Sequence, residues 1–214
     1  MWGISDWYRQ RGKRYADVLL TLSGAPVVVP LTVFVAAGVA LSLGRPVFFR
    51  QQRPGKDGKP FILVKFRTMR DLYDACGKPL PDDARMTSVG RFLRSSSLDE
   101  LPTLWNVLWG DMSLVGPRPL LMRYLERYTP EQARRHEVNP GITGWAQING
   151  RNALQWEDKF ALDIWYVEHF DPLLDLKILA KTMLKVIQRD GIAADDHVSM
   201  PEFMGSTVAS SMDS

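Results

Sequence analysis

Apolar positions follow three different rhythms along the chain. Residues 18–43 form one uncharged run, VLLTLSGAPVVVPLTVFVAAGVALSL, and about 20 such residues suffice to cross a hydrocarbon core of roughly 30 Å. Residues 47–51 and 61–66 are short strand-like stretches on either side of a turn-rich loop containing Asp57-Gly58, which predicts a β-hairpin. After Leu98, residues Leu101, Leu104, Trp105, Leu108 and Trp109 recur at the spacing of one helical face, and Gly110 closes that helix. Residues 173–187 repeat the pattern, with Lys177, Lys181, Lys185 and Arg189 off the apolar stripe. That stripe predicts either a core helix or a helix lying on a membrane surface. Residues 71–86 are polar, carry Gly77, Pro79 and Pro81, and predict a surface loop.

Pro26 and Pro30 fall in the middle of the uncharged run. An interior proline removes a backbone hydrogen bond and clashes with the preceding turn, at about 3 kcal/mol. A bend there leaves arms of about 13 residues, roughly 20 Å each, too short to cross the hydrocarbon. Both flanks are basic, and short basic flanks stay cytoplasmic, so a re-entrant helix-break-helix satisfies both ends. One straight spanning helix is the other reading, since prolines are tolerated in such helices. The run is too long, and too basic on its far side, for a cleavable signal.

Composition narrows the picture. A chain of 214 residues, 45% hydrophobic and 24% charged, has room for one globular domain and an accessory segment. The net charge is only +3. Its positive residues nonetheless gather in the first half, at Arg9, Arg11, Lys13, Arg14, Arg45, Arg50, Arg53, Lys56, Lys59, Lys65, Arg67 and Arg70, which predicts an anionic partner. Cys76 is the only cysteine, so an intrachain disulfide and a multi-cysteine metal site are both excluded. The sequence has no GxGxxG, no GxxxxGK[ST] and no nucleic-acid-binding motif.

Candidate chemistry concentrates in GRFLRSSSLDELPTLWNVLWGDMSLVGPRPL. Ser97 and Glu100 have the spacing of a helix capping box, but Pro102 better suits the first turn of a helix starting near Leu101. Asp99 and Glu100 then stand just before that helix. A carboxylate at a helix N-terminus beside arginines has its charged form favoured, ready to act as a nucleophile or a Mg²⁺ ligand. Arg118, between Pro117 and Pro119, is held on extended backbone and suits bidentate phosphate binding. Arg91 and Arg94 share a helix face by spacing. So do Asp163, Tyr166 and His169, among which a lone histidine is more often structural.

KFRTM at 65–69, RSSSLDELP at 94–102, DMSLVGPRP at 111–119, PGITGWAQINGRN at 140–152 and WEDKFALDIWYVEHF at 156–170 together resemble the bacterial sugar transferases, the monotopic phosphoglycosyl transferases. LDLKIL at 174–179 continues the likeness, which covers residues 13–205. The resemblance implies an α+β, mostly helical fold with three parts. Residues 1–44 are the basic flank and re-entrant membrane hairpin, 45–205 a cytoplasmic catalytic domain with a short β-hairpin and interfacial helices, and 206–214 a flexible tail. It implies a Mg²⁺-dependent enzyme of the bacterial inner membrane that moves a sugar-1-phosphate from a UDP-sugar, N-acetylated by the look of GRNALQWEDKF, to polyprenyl phosphate. UMP leaves first and an aspartyl phosphosugar forms. By position, Asp99 and Glu100 match the catalytic pair, with Asp99 also a Mg²⁺ ligand. Lys65, Arg94 and Arg118 match the phosphate-binding residues.

Arg91 and Arg151 are lesser candidates for the nucleotide or sugar pocket, PGITGWAQINGRN being otherwise a Gly-rich turn that packs Trp145. The family's membrane proline matches Pro30, but Val29 stands where the family has serine; Ser23 and Pro26 offer a second break point. Membrane lipid is the expected surround, no nucleic acid is expected, and a homodimer is allowed. Two other readings use the same residues: an adaptor that only binds anionic lipid, which tolerates Asp99→Asn, and a membrane-tethered nucleic-acid binder drawing on the basic cluster.

Overall fold

A computed structural model describes residues 4–150, 154–188 and 202–205. It is mostly helical, with two small sheets. The described residues open on α1 (Ile4–Trp7) and a π-helical turn, Tyr8–Gly12, which run into α2 (Lys13–Leu43). No non-helical segment separates two arms: helix continues through Pro26 and Pro30, where the sequence predicts a break. Each proline removes one donor but leaves its neighbours' bonds intact. Ser23 Oγ donates to the Leu20 carbonyl (2.9 Å) and Thr32 Oγ1 to that of Val28 (2.7 Å), back-bonding of the kind that bends helices.

Both ends of α2 are docked on the globular domain and its middle is bare. Val35 and Val39 pack with Phe66 and Leu93, and Arg67 Nη2 donates to the carbonyls of Leu43 and Gly44. Near the other end, Lys13 Nζ lies 2.5 Å from Asp175 Oδ2, Arg14 donates to the carbonyls of Val107 and Leu108, and Asp17 Oδ1 accepts from the Leu114 N–H (3.1 Å). None of residues 22–34 is buried, and Val27 and Phe34 are 72% and 78% exposed. Part of the basic first-half cluster therefore has internal partners. Arg9 belongs with it, donating to the carbonyls of Phe170 (3.0 Å) and Glu168 (2.7 Å). Tyr8 is buried and donates to Asp175 (2.7 Å).

The hairpin pairs β1 (Phe48–Pro54) with β2 (Pro60–Phe66), each somewhat longer than its apolar pattern. Phe49 faces Lys65, Gln51 faces Leu63 and Arg53 faces Phe61, so these side chains share one surface. Residues 71–86 are mostly exposed and hold the one-turn α3 (Asp82–Arg85). Then come α4 (Ser88–Ser95), a 3₁₀ turn Leu98–Glu100, and α5 (Thr103–Trp109). Asn106 and Thr103 of α5 bond the backbone of Ile62 and Val64, which fixes α5 across the hairpin.

β3 (Ser113–Val115) and β4 (Gly141–Thr143) form a parallel pair bracketing the short α6 (Pro130–Ala133). Glycine is required where they meet, because a Cβ at Gly141 would lie 2.1 Å from the Gly116 nitrogen. α7 (Trp145–Asn149), α8 (Trp156–His169) and α9 (Pro172–Gln188) complete the domain. On α9, Ile178 is fully buried whereas Leu173, Leu176, Met183 and Leu184 are exposed, so its apolar surface exceeds what the core covers.

Candidate active site

Ser97 and Glu100 do not form the capping box. Ser97 adopts a left-handed conformation (φ 58°) without a side-chain cap bond, and the 3₁₀ turn that follows carries Asp99 and Glu100 just ahead of α5. Glu100 Oε1 instead accepts from Lys65 Nζ (2.5 Å) and Arg118 Nη2 (2.6 Å). Three remote segments thus converge on one carboxylate oxygen: the end of β2, the turn before α5, and the GPRP stretch after β3.

Arg53 joins them. Together with Leu63, Lys65, Glu100, Thr103, Arg118 and Pro119 it lines one cleft. Its Nη2 donates to Gln51 Oε1 (2.7 Å), while its Nε is buried without a hydrogen-bond partner among the described residues. The sequence lists Arg53 merely among basic residues. The signal that singles it out is strand periodicity, which places it on the Lys65 face of the hairpin.

Arg94 Nε donates to Thr68 Oγ1 (3.1 Å), and its charge reaches Asp99. α4 can bring it there because Gly90 sits directly on the Thr68 carbonyl, where a Cβ would come within 1.9 Å. Arg91, three residues earlier, is exposed, and its side chain makes no hydrogen bond or ion pair among the described residues. Arg151 lies outside the described residues. His169 is exposed and stacks on Trp165, whereas Asp163 and Tyr166 turn inward, to Arg135 and Asp175.

The two acids are electrostatically opposite. Burial pushes Glu100 upward, but Arg118 and Lys65 outweigh it and hold the carboxyl down at about 2. Asp99 is pushed up to about 6, by burial first and then by the Glu100 charge, against the pull of Lys65, Arg118 and Arg94. This corrects the expectation that a helix N-terminus and arginines favour ionised Asp99: desolvation and the neighbouring carboxylate dominate. At pH 7 it is still mostly charged. Lys65 is lowered by burial and Arg118, and Arg53 likewise.

Among the described residues that line it, the cleft sets Arg53, Lys65 and Arg118 against Glu100, with Arg94 near Asp99 beside it, so the site carries surplus positive charge and is partly open. Such a cleft suits a multiply charged anion such as a diphosphate. Among the described residues no group of three or more histidine, cysteine, aspartate or glutamate side chains could enclose a metal. One protein carboxylate with substrate phosphates is nevertheless the usual way Mg²⁺ is held, and Asp99, unlike Glu100, makes no hydrogen bond among the described residues. The donor set therefore fits a substrate-borne Mg²⁺.

Fold and site define a mostly helical α+β protein with one long apolar helix and an acidic pair beside a cationic cleft. Sequence comparison gives it a family: residues 8–189 match the bacterial sugar transferases, and the chain belongs to that family. It is 59% identical over 181 residues to the uncharacterized sugar transferase EpsL of Bacillus subtilis, covering 85% of this chain and 90% of that one. It is 39% identical to the UDP-glucose:undecaprenyl-phosphate glucose-1-phosphate transferase of Xanthomonas campestris, over 85% of this chain and 40% of that one. With the undecaprenyl-phosphate galactose phosphotransferase of Salmonella typhimurium the identity is 38%, over 84% of this chain and 41% of the relative. The chain thus spans about two fifths of these last two proteins.

Proposed function

We propose that this protein transfers a sugar-1-phosphate from a UDP-sugar to undecaprenyl or a similar polyprenyl phosphate, the first membrane step in building a glycoconjugate. The observation that carries the reading is Glu100 clasped by Lys65 and Arg118 with Asp99 beside it. The names of the Xanthomonas and Salmonella relatives support the reaction class.

Lys65, Arg94, Arg118 and Arg53 bind the diphosphate and neutralise the charge that builds on it. An Asp99 carboxylate oxygen attacks the β-phosphorus, forming a P–O bond as the bond to the bridging oxygen breaks. That oxygen leaves on UMP. A phosphate oxygen of the polyprenyl phosphate then attacks the same phosphorus, displaces Asp99 and takes the phosphosugar. Glu100 holds Lys65 and Arg118 in register and stays ionised throughout. Asp99 would be the protein ligand for a Mg²⁺ ion, which would supply further charge neutralisation.

A lipid acceptor gives the bare helix its purpose. Both ends of α2 dock on the same domain, so both stay on one side of a bilayer, and residues 22–30, none of them buried, enter the lipid from that side. This supports a re-entrant placement in the inner membrane with the catalytic domain cytoplasmic. The exposed leucines of α9 and Trp109 are suited to the interface.

The test is UMP release by nanodisc-held protein with Mg²⁺, undecaprenyl phosphate and a panel of UDP-sugars. The panel spans N-acetylated and 6-deoxy donors as well as the glucose and galactose named for the relatives. UMP is expected from wild type with at least one donor and from Asp99→Asn with none. Equal UMP from both proteins removes the aspartyl intermediate, and no UMP from either removes the enzyme.

A further inference from the structure

Residues 202–205 return from a distant part of the chain and insert into the catalytic domain. Phe203 is 2% exposed, boxed by Tyr124, Tyr128, Trp156 and Phe160 at centroid distances of 5.7, 5.8, 5.5 and 5.0 Å. Its N–H donates to Tyr124 Oη (3.3 Å) and its carbonyl accepts from Arg127 Nη1 (2.5 Å). Glu202 bridges Arg123 (2.9 Å) and Arg127 (2.8 Å).

What lies behind the box is the backbone of the candidate active site. The rings of Tyr128 and Phe160, both backed by Phe203, carry the Arg135 guanidinium at 5.9 and 5.7 Å from their centroids. Arg135 pairs with Asp163 (2.6 Å), and its Nη2 also donates to the Arg118 carbonyl (2.8 Å). Leu120, two residues beyond Arg118, belongs to the same cluster as Phe203. Each layer is fixed by the next: Phe203 holds the rings, the rings hold Arg135, and Arg135 holds the peptide that aims Arg118 at Glu100.

We propose that Glu202–Gly205 is a clamp for the Arg118 segment, with Phe203 a positioning residue for phosphoryl transfer. This rests on the transferase reading above. Removing the Phe203 side chain opens a hole behind the rings and lets the Arg118 peptide drift. Displacements of about 1 Å at a reacting group cost on the order of 10²-fold in rate.

The experiment is a double-mutant cycle between Phe203 and Arg118, read as kcat for UMP release per folded protein and as UDP affinity by calorimetry. Phe203→Ala is expected to lower kcat about 10- to 100-fold. Phe203→Leu, which keeps apolar fill and so protects the fold, should lower it about two- to fivefold, intermediate on the same scale. In an Arg118→Lys background both substitutions should change kcat and UDP affinity less than about twofold, while their effect on thermal stability persists. Equal losses with and without Arg118, or wild-type kcat in both Phe203 variants, overturns the clamp and leaves the transferase reading standing. A wild type that neither releases UMP nor binds UDP sinks both.

Discussion

Two carboxylates in this molecule gather donors in nearly the same way, yet their surroundings give them opposite uses. Asp175 accepts from Lys13 (2.5 Å) and Tyr8 (2.7 Å) on one oxygen and from Tyr166 (2.6 Å) on the other. It is 4% exposed, so one cation and two neutral hydroxyls complete it and seal it from water. Glu100 accepts from Lys65 and Arg118, two cations, in a cleft that also holds Arg53. A buried carboxylate with balanced donors joins elements together. One with excess positive charge at an open edge awaits a further anion. Charge balance and access, rather than the number of hydrogen bonds, separate the two clusters.

The largest expected effect of a substitution is on that second cluster. Asp99→Asn removes the nucleophile and should cut UMP release by at least about 10³-fold, given what loss of a nucleophile costs in other enzymes. The fold should gain. A carboxyl raised to about 6 stabilises the folded state below its unfolded pKa, and that contribution is lost as pH rises through about 6. The variant should therefore melt higher than wild type at pH 8 and equally at pH 3.5. Melting lower at pH 8 breaks the claim that Asp99 is held charged at a cost.

Asp175→Ala should show the reverse. It leaves Lys13 buried without its anion, a loss of about 3–5 kcal/mol measured by denaturant unfolding. Detachment of the α2 N-terminus from α9 should accompany it. A variant that unfolds like wild type but has lost UDP binding moves Asp175 from the scaffold to the site.

Acid sharpens the contrast inside the dyad. Wild-type kcat should fall about tenfold per pH unit well below 6, as Asp99 protonates. Glu100, lowered to about 2, gives stability that is present above its unfolded value and lost only as pH falls through about 2. Activity should thus disappear in acid well before Glu100 releases its partners. A pH profile flat from 7 to 5 removes Asp99 as the titrating nucleophile.

These clusters were unequally legible in the sequence. Asp99, Glu100 and Arg118 stand in short local motifs, and the helices over 101–109 and 173–187 follow from apolar spacing. Lys65 and Arg118 sit 35 and 18 residues from Glu100, and no local pattern says that they meet on one oxygen. The β3–β4 pair escapes because each strand has three residues and their pairing is parallel across a long connection. Pro26 and Pro30 predict a break in α2, yet helix continues through both, because each removes a single donor and leaves its neighbours' bonds intact. The basic first half was legible only in part. Sequence counts charges, whereas only the fold reveals that Lys13 and Arg14 are spent on Asp175 and on the carbonyls of α5.

The smallest effect tests whether the Asp175 cluster is scaffold alone. Tyr8→Phe removes one neutral donor and leaves Lys13 and Tyr166 on the carboxylate, so the charge stays compensated. A single such hydrogen bond is worth about 1 kcal/mol, which lowers the melting temperature by a few degrees for a domain of this size. The ring remains packed in the core with Val115, Tyr166 and Ile178, so no cavity adds to the cost. UMP release per folded molecule should be unchanged, because no donor of the cationic cleft has moved. A fall in kcat without a change in melting temperature would mean that the sealed carboxylate is wired to the open one, and the contrast between scaffold and site would have to be given up.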